Sequence, residues 1–168
     1  MWKVFFGNDG CMNDDGYTFL PGGLRVRKSD DLICAMGSLD ELSAALGLLR
    51  AQTVKKGDAD LIRSIQGDLL KIGHELATEK PHLDSQRMKD LERETEGRKG
   101  SLAPLNDFVL PGDTIQSGFS HWARTSCRRA ERELVRVQEA YPLRVTAPAL
   151  CYLNRLSGLL FEMGREGL

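Results

Sequence analysis

HWARTSCRRAERELVR, residues 121–136, forms the centre of a predicted helix over residues 114–140. Its apolar residues recur every three or four positions, which places them on one face of an α-helix. That face comprises Phe119, Ala123, Cys127, Ala130, Leu134 and Val137. A helix with one apolar face is stabilised by packing that face against other helices, so this segment predicts a helix bundle.

The charged residues of this helix fall into two groups. At about 100° per residue, Arg124 and Glu131 lie at the edge of the apolar face. Arg128 and Arg132 lie on the opposite, outer side. An arginine at such an edge loses water when another helix or subunit packs there, and it then usually binds a carboxylate or phosphate. Asp40 is the candidate carboxylate. The alternative is a solvated face with surface ion pairs.

Four further helices are predicted from the same spacing. They cover residues 38–52, 58–78, 85–97 and 147–164. Ser38, three residues before Glu41, forms a capping box for the first of these, and Asp58 caps the second. The glycine-rich first 37 residues are predicted as a long loop without helix, and residues 97–101 as another loop. The expected fold is an all-α five-helix bundle with a long glycine-rich N-terminal loop, in a single domain over residues 1–168.

The composition fits one globular domain and excludes several function classes. The chain has 168 residues, 41% of them hydrophobic, with 23 basic against 24 acidic residues and a net charge of -1. This balance gives no uniform positive field for nucleic acid or an anionic membrane. No apolar run approaches the ~20 residues of a membrane span, and no signal-peptide pattern is present. Four scattered cysteines indicate neither disulfides nor structural zinc, so we expect a soluble cytoplasmic protein.

The glycine-rich N-terminal loop is a candidate anion-binding site. Glycines let backbone amides approach a phosphate, and the loop leads into the first predicted helix. It contains neither the G-x-x-x-x-G-K-[ST] motif nor the G-x-G-x-x-G motif. Asp14 and Asp15 can each hold Mg²⁺ through water. A surface loop with ordinary turn glycines is an equally good interpretation of the composition.

Phe108 has two interpretations. It is either a hydrophobic staple for the helix over residues 114–140 or an apolar wedge that faces a large planar ligand. Asn154, near the middle of the last helix, is placed to pack on the edge of that same helix. The simplest role for Asn154 is an interhelical hydrogen bond.

The sequence offers no set of residues for hydrolytic acid–base chemistry. Its three histidines, His74, His82 and His121, lie apart from one another and from serines in any triad-like order. We expect them at the surface or in packing contacts.

Five short motifs follow one another along most of the chain. They are GGLRVRK (22–28), GSLDEL (37–42), VLPGD (109–113), ARTSCRRAER (123–132) and YLNRLSGLLF (152–161). In this order and spacing they resemble the PduO-type ATP:cob(I)alamin adenosyltransferases. The resemblance implies a five-helix bundle assembled as a homotrimer, with ATP and a corrinoid bound between neighbouring subunits. It also implies transfer of the 5′-deoxyadenosyl group to cobalt, with release of triphosphate and assistance from Mg²⁺.

The resemblance also implies a role for particular residues. The positions that match the family's phosphate-binding loop and its continuation are Asp14, Gly16, Thr18, Arg25 and Lys28. An intersubunit salt bridge falls on Asp40 and Arg124, and Arg128 matches the arginine that contacts the nucleotide phosphates. Phe108 matches the phenylalanine that keeps the lower axial base of the corrinoid off cobalt. The remaining matches in the ligand-binding set are Glu131 and Asn154.

The sequence departs from the family pattern around the expected ligands. The family's loop usually reads T-K-T-G-D-x-G-x-T, whereas residues 10–18 here read GCMNDDGYT. Ser43 and Gly158 replace an asparagine and an aspartate that are usual in the family. Two other functions therefore stay open. One is a relative that binds a corrinoid or nucleotide as a carrier, sensor or partner subunit without catalysis, and the other is a purely structural helical subunit.

Overall fold

The structure is a computed structural model that describes residues 15–105 and 107–166. These residues form five helices and a two-stranded hairpin, in the order β1 Tyr17–Phe19, β2 Arg25–Arg27, α1 Asp31–Gln52, α2 Lys56–Thr78, α3 Gln86–Ser101, α4 Ile115–Ala140 and α5 Ala147–Arg165. α1 packs on α2 and α4, and α5 packs on α4 and α3. The predicted all-α five-helix bundle is confirmed.

Part of the predicted N-terminal loop is a β-hairpin. β1 and β2 are antiparallel, with Thr18 opposite Val26. Gly22 and Gly23 in the turn have φ angles of 91° and 83°, in the left-handed region that favours glycine. Leu20 and Val26 are buried in the core, so the hairpin is fixed to the bundle.

α1 begins at Asp31, well before its predicted start. Ser38 is buried inside the helix, so the capping-box prediction is wrong. The N-cap is Asp30, whose carboxylate accepts a 3.0 Å hydrogen bond from the Leu32 amide. Leu32 and Ala35 are fully buried and extend the apolar face of the helix. The glycine content of the first 37 residues concealed this earlier start.

Two further helix boundaries differ from the prediction. The N-cap of α2 is Lys55, so the prediction that Asp58 caps this helix is wrong. Asp58 lies in the first turn, and its carboxylate binds Arg98 Nη2 at 2.5 Å. Arg98 also binds Glu166. These ion pairs hold the end of α3, which stays helical through the loop predicted over residues 97–101.

α1 and α4 lie at the centre of the core. The predicted apolar face of α4 is buried, apart from Phe119, which is half-buried against it. α1 is long and apolar enough to span a membrane by length and composition, contrary to the expectation from the sequence. Its core residues Leu32, Leu42, Leu46 and Leu49 are fully buried. The helix therefore serves the bundle as a core helix.

A buried ionic network joins α2, α3 and α5. Asp68 on α2 is 1% exposed and accepts hydrogen bonds from Arg87 Nε at 2.7 Å, Lys71 Nζ at 3.0 Å and the Tyr152 hydroxyl at 3.0 Å. Burial and the neighbouring Asp68 charge raise the pKa of Tyr152 far above its usual value. The hydroxyl therefore stays protonated and donates to the carboxylate.

Candidate functional site

The charged residues of α4 lie where the helical spacing predicts. Arg124 and Glu131 are half-buried at the edge of the apolar face, and Arg128 is exposed on the outer side. Glu131 Oε1 accepts a 3.0 Å hydrogen bond from Asn154 Nδ2 on α5. The predicted interhelical contact is therefore confirmed, and it joins two expected site residues.

Asp40 and Arg124 form no ion pair within the described part of the chain. Arg124 Nε donates instead to His121 Nδ1 at 3.3 Å. Asp40 is half-buried on α1, in a small pocket against α2 whose other lining residues include Leu39 and Ser43. Burial removes water from the carboxylate and raises the pKa of Asp40 from 3.8 to about 6. One copy of the chain thus leaves a half-buried carboxylate and a half-buried guanidinium without an opposite charge among the residues described.

The contact between α1 and α4 carries an ion pair that sequence reasoning missed. Glu41 on α1 binds Arg129 on α4. These residues directly follow two expected site residues, Asp40 and Arg128. The pair therefore helps to fix the relative position of the two helices that carry the expected site. Charge complementarity between two helices was its only signal, because the pairing of the helices is not visible in one sequence.

Four of the five residues expected at the phosphates lie on or beside the hairpin. Gly16 precedes β1 with a φ of 78°, and Thr18 lies within β1. Arg25 lies in β2 and Lys28 directly after it, where the Lys28 amide donates to the Gly16 carbonyl at 2.8 Å. Asp14 lies outside the described residues. The hairpin brings the other four into one small region, and their role in binding stays a prediction.

Arg25 is held by two neighbours on the hairpin. Its Nη2 binds Asp15 Oδ2 at 2.6 Å, and its guanidinium carbon lies 3.8 Å from the centre of the Tyr17 ring. A hydrogen bond from the Tyr17 amide, and then the Arg25 guanidinium, lower the pKa of Asp15. Sequence reasoning missed Tyr17. An aromatic residue and an arginine on paired strands were the signal that could have revealed this contact.

Phe108 lies in the segment between α3 and α4 and is 97% exposed, so the hydrophobic-staple interpretation is wrong. Leu110 on the same segment and Ile115, the first residue of α4, are also largely exposed. Large exposed apolar side chains near one another in the sequence are typical of a surface that contacts a ligand or a partner. The alternative interpretation, an apolar wedge, stays a prediction.

The histidines do not all lie apart. The rings of His74 and His82 are in contact, with their centres 4.2 Å apart, so that expectation is wrong for this pair. His121 is buried on α4. Within residues 15–105 and 107–166, no group of three His, Cys, Asp or Glu side chains could hold a metal ion.

The fold and these features define a class of protein: a helix bundle with incompletely paired charges on α1 and α4, a basic hairpin and an exposed apolar segment before α4. The chain belongs to the cobalamin adenosyltransferase family, whose sequence profile matches residues 11–166.

Individual relatives are similar over most of the chain. A corrinoid adenosyltransferase of Citrobacter freundii is 35% identical over 159 residues, which cover 90% of this chain and 89% of the relative. The corrinoid adenosyltransferase PduO of Salmonella typhimurium is also 35% identical, and the match spans 47% of that longer protein. A solved structure of a variant PduO-type ATP:corrinoid adenosyltransferase from Lactobacillus reuteri, complexed with cobalamin and ATP, has a TM-score of 0.85 at 27% identity. That match covers 90% of this chain and 88% of the other.

Proposed function

We propose that the protein is an enzyme that transfers the 5′-deoxyadenosyl group of ATP to cob(I)alamin, forming adenosylcobalamin and releasing triphosphate. The observation that carries the proposal is the geometry of α4. There Arg124 and Arg128 present guanidinium groups that no carboxylate of the described chain neutralises. Membership of the family and the fold shared with a protein complexed with cobalamin and ATP support the same reaction.

The chemistry needs little from the protein beyond binding and orientation. The cobalt of the substrate attacks C5′ of ATP, a cobalt–carbon bond forms, the C5′–oxygen bond breaks and triphosphate leaves with the bonding electrons. Because the substrate is itself the nucleophile, no activated serine or general base is required. The protein has to align C5′ with cobalt and stabilise the charge of the leaving triphosphate.

The basic residues of the hairpin and of α4 are proposed to bind the triphosphate. Arg128 is exposed on α4, and Arg25 and Lys28 lie on or beside β2. Gly16 is proposed to contribute its backbone and Thr18 its hydroxyl group to the same binding of the triphosphate. Positive charge beside the triphosphate stabilises it as the leaving group.

Mg²⁺ is proposed to enter with the triphosphate and to screen its charge. Asp14, outside the described residues, is the proposed protein carboxylate for it. Asp15 is already bound to Arg25 at 2.6 Å, so it is less suited to a metal than Asp14.

The remaining assignments concern the corrinoid side. Phe108 is proposed as the apolar wedge that keeps the lower axial base off cobalt, which makes the reduction to Co(I) attainable. Its almost complete exposure leaves the ring available for that contact. Glu131 and Asn154, joined by their hydrogen bond, are proposed to hold the facing surfaces of α4 and α5 in place around the ligands.

A homotrimer is part of the proposal, and so is a cytoplasmic location. The support for the trimer is the half-buried Asp40, whose raised pKa of about 6 reports burial without an opposite charge. Arg124 of a neighbouring copy would supply that charge. α1 also exposes apolar area, including Leu48, away from the core. A second copy that covers this face would bring the two charges into contact.

The test is an assay of the purified protein with reduced cobalamin, ATP and Mg²⁺, followed through the loss of cob(I)alamin absorbance. We expect adenosylcobalamin to form. Arg128→Ala is expected to slow the reaction on the order of 10²-fold, as the loss of one charge-stabilising donor does. Arg132→Ala is the matched control, because Arg132 is exposed on the same side of α4 and has no proposed role. It should keep the wild-type rate.

A non-catalytic carrier or sensor is the alternative, and the family match does not favour it. Measurable binding of ATP and cobalamin by calorimetry, without any turnover, would reject the enzyme and support this alternative. Absence of both binding and turnover would support a purely structural subunit.

A further inference from the structure

His121 lies on α4 one turn before Arg124 and is 3% exposed. Its Nδ1 is 3.3 Å from Arg124 Nε. An arginine Nε always carries a hydrogen, so Nδ1 must be the unprotonated acceptor. The proton of the neutral ring then sits on Nε2, which is buried without a hydrogen-bond partner.

The imidazole is clamped from the side of α5. A Cβ at Gly164 would lie 2.7 Å from His121 Nε2, so glycine is needed there for the ring to fit. The Phe161 ring packs edge-on against the imidazole with centres 5.9 Å apart. The Ser120 hydroxyl donates to the Leu160 carbonyl at 2.9 Å and holds the two helices together at this level. The ring therefore has no room to swing away from Arg124.

We propose that His121 is a positioning residue that orients the Arg124 guanidinium toward its partner at the subunit contact. The inference rests on the proposed function, in which Arg124 meets Asp40 of a neighbouring copy. Fixing Nε leaves both terminal nitrogens of Arg124 for the two carboxylate oxygens, the arrangement that makes such pairs strong.

The electrostatics of the contact agree with this role. Burial, and then the positive charge of Arg124, lower the pKa of His121. The imidazole is therefore neutral at physiological pH, and Nδ1 keeps the lone pair that accepts from Arg124.

The first test does not depend on activity. Nitrogen-15 spectra of histidine-labelled wild-type protein, with His121→Asn to assign the signal, report which ring nitrogen carries the proton. We expect Nδ1 to be unprotonated and hydrogen-bonded and Nε2 protonated, and we expect the Nδ1 chemical shift to move to that of a free acceptor nitrogen in Arg124→Ala. A protonated Nδ1, or an Nδ1 chemical shift unaffected by Arg124→Ala, would overturn the proposal.

The second test is a double-mutant cycle on kcat/KM. His121→Phe keeps the ring volume but removes the acceptor, and a loss of about tenfold or more is expected, since small misplacements of site groups are costly. His121→Asn, which keeps an acceptor near Nδ1, should recover most of that loss. In the Arg124→Ala background, His121→Phe should cost nothing further.

A destabilising variant elsewhere in the bundle separates the role of His121 from a general loss of stability. Asp58→Ala breaks the buried ion pair with Arg98 between α2 and α3, which involves neither α4 nor Arg124, so it should lower the melting temperature and leave kcat/KM unchanged. Additive losses from His121→Phe and Arg124→Ala would show a purely structural role. If His121→Phe does not fold, the tautomer measurement decides. An inactive wild type would reject the proposed function, and the tautomer would still report on the contact between His121 and Arg124.

Discussion

Asp68 and Asp40 are both removed, wholly or in part, from water, but they differ in their partners. Asp68 is bound by donors of its own chain, whereas Asp40 and Arg124 do not pair within one copy. Asp68 is almost fully buried and has three hydrogen-bond donors within one chain. Asp40 is half-buried and has no such donor among the described residues, and burial raises its pKa to about 6. A network whose hydrogen bonds are all made within one chain needs no second copy to stabilise it. The half-buried carboxylate on α1 is where we propose that another copy of the chain completes the surface.

The largest expected effect is on stability and concerns the interior. Asp68→Ala removes the acceptor of the buried Tyr152 hydroxyl and one of the carboxylates that bind Arg87, and breaking a buried pair costs about 3–5 kcal/mol. Urea unfolding measures the loss. Glu133→Ala is the control, because its pair with Arg136 lies at the surface of α4 and should contribute at most about 1 kcal/mol. An equal loss in the free energy of unfolding for the two variants would contradict the larger contribution assigned to the buried network.

Phe108→Ala tests the exposed apolar segment that precedes α4. Because Phe108 is almost fully exposed, the substitution should leave the free energy of unfolding unchanged. The rate of adenosyl transfer should fall on the order of 10²-fold, as expected when the reacting centre is no longer prepared for the transition state. Bound cobalamin should also keep its lower axial base in the absorption spectrum. A spectrum identical to that of the wild-type complex would remove the role of this ring.

Asp40→Asn tests whether the unpaired carboxylate belongs to a subunit contact. Removing one partner of a buried ion pair between subunits costs roughly 2 kcal/mol or more, which is about thirtyfold in the dissociation constant. Sedimentation equilibrium measures this change. Glu41→Gln is the control, because Glu41 has its partner Arg129 in the same chain and should leave assembly nearly unchanged. Similar weakening by both variants would contradict the assignment.

The same contact predicts a dependence of assembly on pH. Asp40 has a pKa of about 6 in the free protomer, and an arginine from another copy would lower it. Assembly therefore favours the charged carboxylate, is strongest above pH 7 and weakens as the pH falls through 6. Asp40→Asn should abolish this part of the pH dependence. Wild-type assembly that strengthens on acidification would contradict a contact that needs the charged Asp40 carboxylate.

The smallest effect is expected at the hairpin. Tyr17→Leu removes the ring that lies against Arg25, and an exposed cation–π contact contributes about 0.5–1 kcal/mol. The KM for ATP should rise about two- to fivefold while kcat stays the same. Tyr17→Phe keeps the ring and should behave as wild type. A change in kcat alone would place Tyr17 elsewhere in the reaction.

Helical periodicity predicted most of the fold because the apolar faces of α2, α4 and α5 are regular and each is buried in one direction. The start of α1 was missed because its signal, Asp30 capping the Leu32 amide, lies among glycines. The end of α3 was missed because it depends on Arg98 reaching Asp58 and Glu166 across the bundle. Contacts of that kind join residues distant in sequence and leave no local pattern.

In the candidate site, too, features that follow from helical spacing could be predicted, and contacts that depend on the placement of other elements could not. The edge position of Arg124 followed from the period of α4, and the contact of Glu131 with Asn154 followed from the periods of α4 and α5 together. The contact of His121 with Arg124 spans a single helical turn, so a search for residues three apart could have found it. The pocket of Asp40 and the stacking of Tyr17 on Arg25 required the positions of α2 and of β1. Neither position can be read from one segment of the sequence.

The most direct measurement of the central claim, that Asp40 and Arg124 of different copies complete one another, is sedimentation velocity on a charge swap. Asp40→Lys and Arg124→Glu are prepared singly and together in one chain, each checked for folding by circular dichroism. We predict that each single variant dissociates to monomers and that the double variant sediments as a trimer like the wild type. A wild type that is monomeric, or single variants that remain trimeric, would contradict the account.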